Sequence, residues 1–83
     1  MLNGKVAIVS GGTGAIGREI CRVLAREGAR VAFSFHQNET AAEALQMELT
    51  ELGAPAVLRR ALGADDESAI EAFCQQVDEE WDG

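Results

Sequence analysis

The residues most able to do chemistry lie at positions 10–17, which read Ser-Gly-Gly-Thr-Gly-Ala-Ile-Gly. Glycine lets the backbone turn tightly and lets a ligand approach the main chain, because no side chain stands between them. An apolar run at positions 6–9 precedes this segment, and a helical pattern of apolar residues begins at Ile16. This order is typical of a dinucleotide site, since free N–H groups and the dipole of the helix favour a pyrophosphate. The residues predicted to bind it are Gly11, Thr13, Gly14, Ile16 and Gly17.

Two other interpretations of the glycine segment compete with this one. Gly12 and Gly17 have the spacing of a phosphate-binding P-loop, but Arg18 and Glu19 stand where that loop needs a Lys and a Ser or Thr. These two departures argue against a P-loop. The glycines could also serve only the close packing of a strand on a helix, although the flanking strand and helix favour a ligand.

The end of the second predicted strand indicates which nicotinamide cofactor binds. NAD-binding proteins place an Asp or Glu there to accept a hydrogen bond from the ribose 2′-hydroxyl. Positions 34–38 read Ser-Phe-His-Gln-Asn, and the first carboxylate is Glu39, which we expect at the start of the next helix. We therefore predict NADP, with NAD as the alternative, and expect Ser34 and His36 to meet the 2′-phosphate. A solvated loop histidine that binds nothing is the competing interpretation of His36.

Alternating strand and helix patterns must position these residues. The predicted strands cover positions 5–10, 30–35 and 55–60, and the predicted helices cover positions 15–27, 40–52 and 67–81. Gly28 and Gly53 end the first two helices, Thr40 and Glu43 form a capping box, and Asp66 caps the third helix. This order predicts parallel strands joined by right-handed crossovers in the order 3-2-1. The fold class is α/β, the N-terminal β-α-β-α-β-α half of a Rossmann-like doubly wound sheet.

The apolar residues with the largest side chains are predicted to form the core. Val31, Phe33 and Phe35 alternate along the second strand and should share one face, and Met47 is a further core candidate. Two cysteines have no metal-binding spacing, and each falls within a predicted helix. We expect Cys21 and Cys74 to be reduced, partly buried thiols.

Charge and hydropathy exclude several classes of function. The net charge is −7, with five basic and two acidic side chains at positions 1–38 and two basic and twelve acidic at positions 39–83. The basic half carries the glycine segment and suits an anionic cofactor, whereas the acidic half argues against nucleic-acid binding. No apolar run is long enough to span a membrane, and the N-terminus lacks the layout of a signal peptide. We therefore expect a cytoplasmic protein without a membrane partner.

The chain resembles the short-chain dehydrogenase/reductase family over almost its whole length. Positions 3–9 are similar to the first strand of that family, and positions 10–17 are similar to its Thr-Gly-x-x-x-Gly-x-Gly turn. Ser10 replaces the Thr and Ala15 the middle glycine, so the glycine spacing is that of the extended branch of the family. Positions 26–31 and 38–45 instead resemble the classical branch, and bacterial 3-oxoacyl-[acyl-carrier-protein] reductases are a similar type.

The resemblance implies hydride transfer between NAD(P) and a carbonyl or alcohol, assisted by a Tyr, a Lys and a Ser. The chain has no Tyr, and Lys5 is its only Lys, so no catalytic residue is assigned within it. The family also places an Asp against the adenine after the third strand, where this chain has Gly63. Asp65 either takes over that contact or, with Asp66, caps the third helix. Residues 1–83 are thus expected to be a partial NAD(P)-binding domain whose remainder is absent from this chain.

The alternative is a truncated, non-catalytic module that binds a nucleotide or a partner. In a sheet of order 3-2-1, the first strand has an open edge, and open edges pair with other strands. We expect this edge to bind the remainder of its own domain or a second copy of the chain.

Overall fold

Three strands alternate with three helices in the computed structural model, which describes residues 3–11, 13–62 and 67–81. Their bounds are β1 Val6–Val9, α1 Ala15–Arg26, β2 Arg30–Phe35, α2 Glu39–Leu52, β3 Val57–Ala61 and α3 Glu67–Trp81. The predicted element order is confirmed. The third strand begins two positions later than predicted.

The strands form one parallel sheet in the order β1-β2-β3. This is the predicted order 3-2-1, counted from the opposite edge of the sheet. Val9 pairs with Phe33 and Phe33 with Arg59, so the three strands run in close register. Their carboxyl ends therefore meet at the same edge of the sheet, where the predicted ligand-binding residues lie. Ligands of open α/β sheets bind at this edge.

Helices cover both faces of the sheet. On one face α1 and α2 pack against a core that includes the fully buried Phe33, Leu45 and Leu49. On the other face Phe73 and Val77 of α3 pack against the centre of β2. The predicted burial of Phe33 and Phe35 is confirmed, because both are at most 3% exposed, and Phe73 of α3 is buried to the same degree.

Helix α1 packs with small side chains rather than with its large apolar ones. Cys21 and Ala25 are completely buried. In contrast, Ile16, Ile20 and Val23 are 79%, 46% and 50% exposed. Small residues let the helix lie close to the sheet, and the branched side chains form a second, uncovered face of α1.

The predicted core position of Met47 is wrong, because its side chain is 66% exposed. The buried positions of α2 are Ala42, Leu45 and Leu49, which recur at helical spacing on one side. Met47 follows Leu45 by two positions, and that offset turns a helical side chain towards the opposite side.

The predicted ends of the helices are partly confirmed. Gly28 and Gly53 follow α1 and α2 with φ angles of 86° and 124°, a conformation that favours glycine. The predicted capping box is wrong: α2 begins at Glu39, and the Oδ1 of Asn38 accepts a hydrogen bond from the Ala41 amide at 2.9 Å. Asn is among the preferred N-cap residues, and Asn38 directly precedes Glu39, the first residue of α2. The predicted cap Asp66 lies outside the described residues.

Both cysteines are free thiols, as predicted; Cys74 is half-buried, whereas Cys21 is completely rather than partly buried. Burial raises the pKa of the Cys21 thiol to about 11. Within the described residues, no helix is long and apolar enough to cross a membrane.

Candidate functional site

The glycine turn leads directly from β1 into α1. Gly11 has a φ of 72°, a left-handed conformation that L-residues with a side chain rarely adopt. The Gly14 N–H donates a hydrogen bond of 3.1 Å to the Gly11 carbonyl and closes the turn. A Cβ placed on Gly11 would meet no atom within 4 Å, so the space beside this backbone is open. The turn therefore needs glycine for its conformation and leaves room for a ligand.

Helix α1 begins with an N-terminus suited to an anion. Gly14 is its N-cap in an extended conformation and makes no side-chain capping bond, and the first turn holds no acidic residue. The Gly14 carbonyl accepts from the Arg18 amide at 2.8 Å, so the amides of residues 15–17 precede the first helical bond. Such amides lack intrahelical acceptors and carry the positive end of the helix dipole. They can bind a phosphate oxygen.

Ser34 connects the end of β2 to the glycine turn. Its side chain is 6% exposed, and its Oγ accepts a hydrogen bond from the Gly11 amide at 3.2 Å. The register that pairs Val9 with Phe33 brings the residues after β1 beside Ser34. The structure thus brings together two predicted site residues that lie 23 positions apart.

A cavity of about 160 Å³ opens at the carboxyl ends of the strands. It is lined by Ser10, Gly11, Ser34, Phe35, His36 and Leu62. Three predicted site residues, Gly11, Ser34 and His36, therefore share one cavity. His36 is exposed to solvent, whereas Ser34 is buried.

Like Ser10 and Phe35, Leu62 lines the cavity but was not among the predicted site residues. Its amide donates a hydrogen bond of 2.8 Å to the Phe35 carbonyl, which holds it beside the end of β2. The available signal was its place directly after the third parallel strand, at the edge where ligands bind.

The other predicted residues lie along the start of α1 rather than in this cavity. Thr13 and Gly17 are half-buried, and Ile16 is exposed. Arg18 is exposed on α1. The proposed adenine contact Asp65 lies outside the described residues.

No acidic side chain lines the cavity among the described residues. Glu39 begins α2, as predicted, and its carboxylate is 3.0 Å from the Arg59 guanidinium. The charge of Glu39 is therefore paired with Arg59, between α2 and β3, and not in this cavity. A 2′-phosphate placed beside Ser34 and His36 would meet no carboxylate among the described lining residues.

A larger cavity, of about 440 Å³, lies between α2 and the edge of β3. Within it, Arg59 donates to both Glu39 and Gln46. It lies away from the glycine turn and contains none of the turn residues. The smaller cavity is therefore the better candidate site, because its lining includes the turn. Within the described ranges, no cluster of side chains could hold a metal ion.

Comparison with known proteins gives independent evidence of the family of this chain. The family model described as short chain dehydrogenase matches residues 5–83. A glucose and ribitol dehydrogenase of Daucus carota is 40% identical over 72 residues, which cover 78% of this chain and 25% of that protein. A 3-beta-hydroxysteroid dehydrogenase of Comamonas testosteroni is 50% identical over 50 residues, covering 60% of this chain and 19% of that protein.

Solved structures match over nearly the whole chain. A short-chain dehydrogenase/reductase from Serratia marcescens BCRC 10948 superposes with a TM-score of 0.89 at 36% identity, covering 96% of this chain and 32% of that one. A blue fluorescent protein from a metagenomic library, in complex with NADPH, superposes with a TM-score of 0.87 at 33% identity over 96% of this chain and 33% of that one. The chain therefore spans a fifth to a quarter of these curated relatives' length and about a third of these solved chains. Because the family model extends over residues 5–83, the chain belongs to the short-chain dehydrogenase family.

Proposed function

We propose that residues 1–83 form the cofactor-binding N-terminal portion, a partial Rossmann domain, of an NAD(P)-dependent oxidoreductase. The substrate class is a carbonyl compound or the corresponding alcohol, and 3-oxoacyl groups on a carrier protein are one candidate within it. The observation that carries the proposal is the cavity that joins the glycine turn to the carboxyl ends of the strands. This arrangement is the usual dinucleotide site of doubly wound folds.

The pyrophosphate is assigned to the glycine turn and the first turn of α1. Gly11 leaves open space beside the backbone, and the amides of Ile16 and Gly17 precede the first helical bond. Thr13 adds a hydroxyl donor within the turn, and Gly14 starts the helix. These groups neutralise the pyrophosphate with backbone dipoles rather than with cationic side chains.

The cofactor assigned is NADP, with NAD as the alternative. The hydroxyl of Ser34 can donate a hydrogen bond to the 2′-phosphate. His36 can donate a second one from the exposed rim of the cavity. No carboxylate lines the described part of this cavity to repel that phosphate. The matching metagenomic protein was solved with NADPH, which supports the same assignment.

The chain's part in the reaction is to hold and orient the cofactor. Lys5 precedes β1, at the end of the strand away from the cavity, and the sequence has no Tyr. We therefore assign no proton-transferring group of the reaction to residues 1–83.

Calorimetric titration of the full chain with NADPH and NADH tests the proposal. We expect NADPH to bind more tightly, and His36→Ala to weaken NADPH binding while leaving NADH binding unchanged. Gln75→Ala is a matched control, because Gln75 is exposed on α3 and should alter neither affinity. Tighter binding of NADH would contradict the NADP assignment, and binding of neither would contradict the cofactor-binding function.

A second candidate function is a docking module that binds through β1. β1 pairs with β2 on one side, and Val6 and Ile8 are 38% and 41% exposed. The partner proposed is the remainder of the domain or a second copy of the chain, since both would pair with the open edge.

Sedimentation velocity tests this candidate. The full chain should sediment as a complex, and Ile8→Lys should shift it towards the monomer because a charge on an edge strand opposes pairing. Met47→Lys is the control, since Met47 is exposed on α2, away from this edge. A monomeric wild-type chain would contradict pairing with a second copy of the chain, and would leave both the remainder of the domain as the partner and the cofactor assignment intact.

A further inference from the structure

Ser34 is a buried hydroxyl in a strand whose other buried residues are apolar. Its neighbours Phe33 and Phe35 are buried, and Ser34 is the one buried polar side chain in the described core. Burial of a hydroxyl is unfavourable unless it forms a hydrogen bond. Its partner is the Gly11 amide, at 3.2 Å. The hydroxyl is therefore satisfied by the glycine turn rather than by its own sheet.

Two hydrogen bonds hold the backbone on either side of Gly11. The amide donates to Ser34 Oγ, and the carbonyl accepts from the Gly14 amide at 3.1 Å. No side-chain packing supports this position, since a Cβ on Gly11 would meet nothing within 4 Å. Glycine is also the residue with the greatest conformational freedom to lose. Ser34 therefore restrains the peptide that leads into the turn.

We propose that Ser34 is a positioning residue for dinucleotide binding. By accepting the Gly11 N–H, its oxygen holds the turn in the conformation that presents the first amides of α1 to the pyrophosphate. This contribution is independent of the 2′-phosphate, so it strengthens the binding of NAD and NADP alike. The inference rests on the proposed cofactor-binding function, and it gives Ser34 a role besides its proposed contact with the 2′-phosphate.

The Ser34→Ala variant separates these two roles. Alanine keeps the Cβ and removes the oxygen, so the strand should retain its fold. One neutral hydrogen bond contributes about 0.5–1.5 kcal/mol, which corresponds to a roughly twofold to tenfold weaker affinity for NADH. NADPH binding should weaken by at least the same factor. Ser34→Thr keeps the oxygen and should restore the affinity for NADH.

Thr50→Ala is the matched control. It removes a hydroxyl that donates to a backbone carbonyl at 3.0 Å within α2, away from the turn. We expect it to leave both affinities unchanged. Amide hydrogen exchange of the cofactor-free chain gives a second readout, in which Ser34→Ala should speed exchange at Gly11 and Thr50→Ala should not.

The outcomes are distinct. A loss of NADPH affinity alone would overturn the positioning role and leave Ser34 as a phosphate ligand. Unchanged exchange at Gly11, or failure of Ser34→Thr to restore NADH binding, would also overturn it. If the wild-type chain bound neither cofactor, the proposed function would fail, and this inference with it.

Discussion

The strongest test of the glycine turn is the replacement of Gly11 by alanine. Gly11 has a φ of 72°, and a Cβ there would meet no atom within 4 Å. The new methyl group therefore causes no clash. The loss of stability comes from holding an alanine in the left-handed backbone conformation. For an L-residue in the left-handed region this cost is about 1–2 kcal/mol. For a chain of this size it lowers the melting temperature by roughly 4–16 °C.

Two further substitutions separate conformation from side-chain size. Gly11→Asn adds a larger side chain but should cost less than Gly11→Ala, because Asn tolerates the left-handed region. Gly14 has a φ of −70°, which L-residues adopt, and a Cβ on it would lie 3.5 Å from the Gly11 carbonyl oxygen, an ordinary contact. Gly14→Ala should therefore be less destabilising than Gly11→Ala.

Urea unfolding followed by the fluorescence of Trp81, the only Trp in the sequence, measures these differences. The expected order of stability is wild type, then Gly11→Asn, then Gly11→Ala. A Gly11→Ala variant as stable as the wild type would refute the left-handed conformation. An asparagine variant less stable than the alanine variant would show that side-chain size, and not backbone conformation, sets the cost.

Three further predictions follow from caps, burial and the core. Asn38→Ala should lower the free energy of unfolding by about 1 kcal/mol through loss of the N-cap, and Thr40→Ala should lower it by less than half as much. Urea unfolding measures both values, and the reverse order would favour Thr40 as the cap. Because burial raises the pKa of the Cys21 thiol from 9.0 in the unfolded chain to about 11, its contribution to stability is present below pH 9 and is lost as the pH rises to 11. The free energy of unfolding should fall by about 2–3 kcal/mol over this pH range. Cys21→Ala should show a smaller fall, and an equal fall in both proteins would contradict the effect of burial on the thiol. Leu45→Ala should cost about 2–5 kcal/mol and Met47→Ala well under 1 kcal/mol, and similar costs would contradict the exposed position of Met47.

The correction at α2 shows where local patterns fail. Thr40 and Glu43 have the spacing of a capping box, but Asn38 offers an equally suitable acceptor two positions earlier. Propensity alone does not choose between two competent caps. In the structure Glu43 lies 4.0 Å from Arg59 of β3, so its carboxylate faces the neighbouring strand.

The two faces of α1 show the same limit of prediction from local sequence patterns. The apolar pattern that begins at Ile16 correctly predicts a helix, but it does not say which face packs on the sheet. The structure buries Cys21 and Ala25 and leaves Ile16 79% exposed. Helix α1 packs through small side chains, whereas α2 packs on the same face of the sheet through Leu45 and Leu49, and hydrophobicity alone does not predict this difference.

The sequence by itself determined the order of the elements, the parallel sheet and the glycine turn. These features depend on local spacing, on the conformational freedom of glycine and on the handedness of crossover connections. Tertiary structure alone decided that Ser34 binds the Gly11 amide and that Leu62 completes the cavity with His36. Those contacts depend on the register between strands, which places residues distant in sequence side by side and which no local pattern encodes.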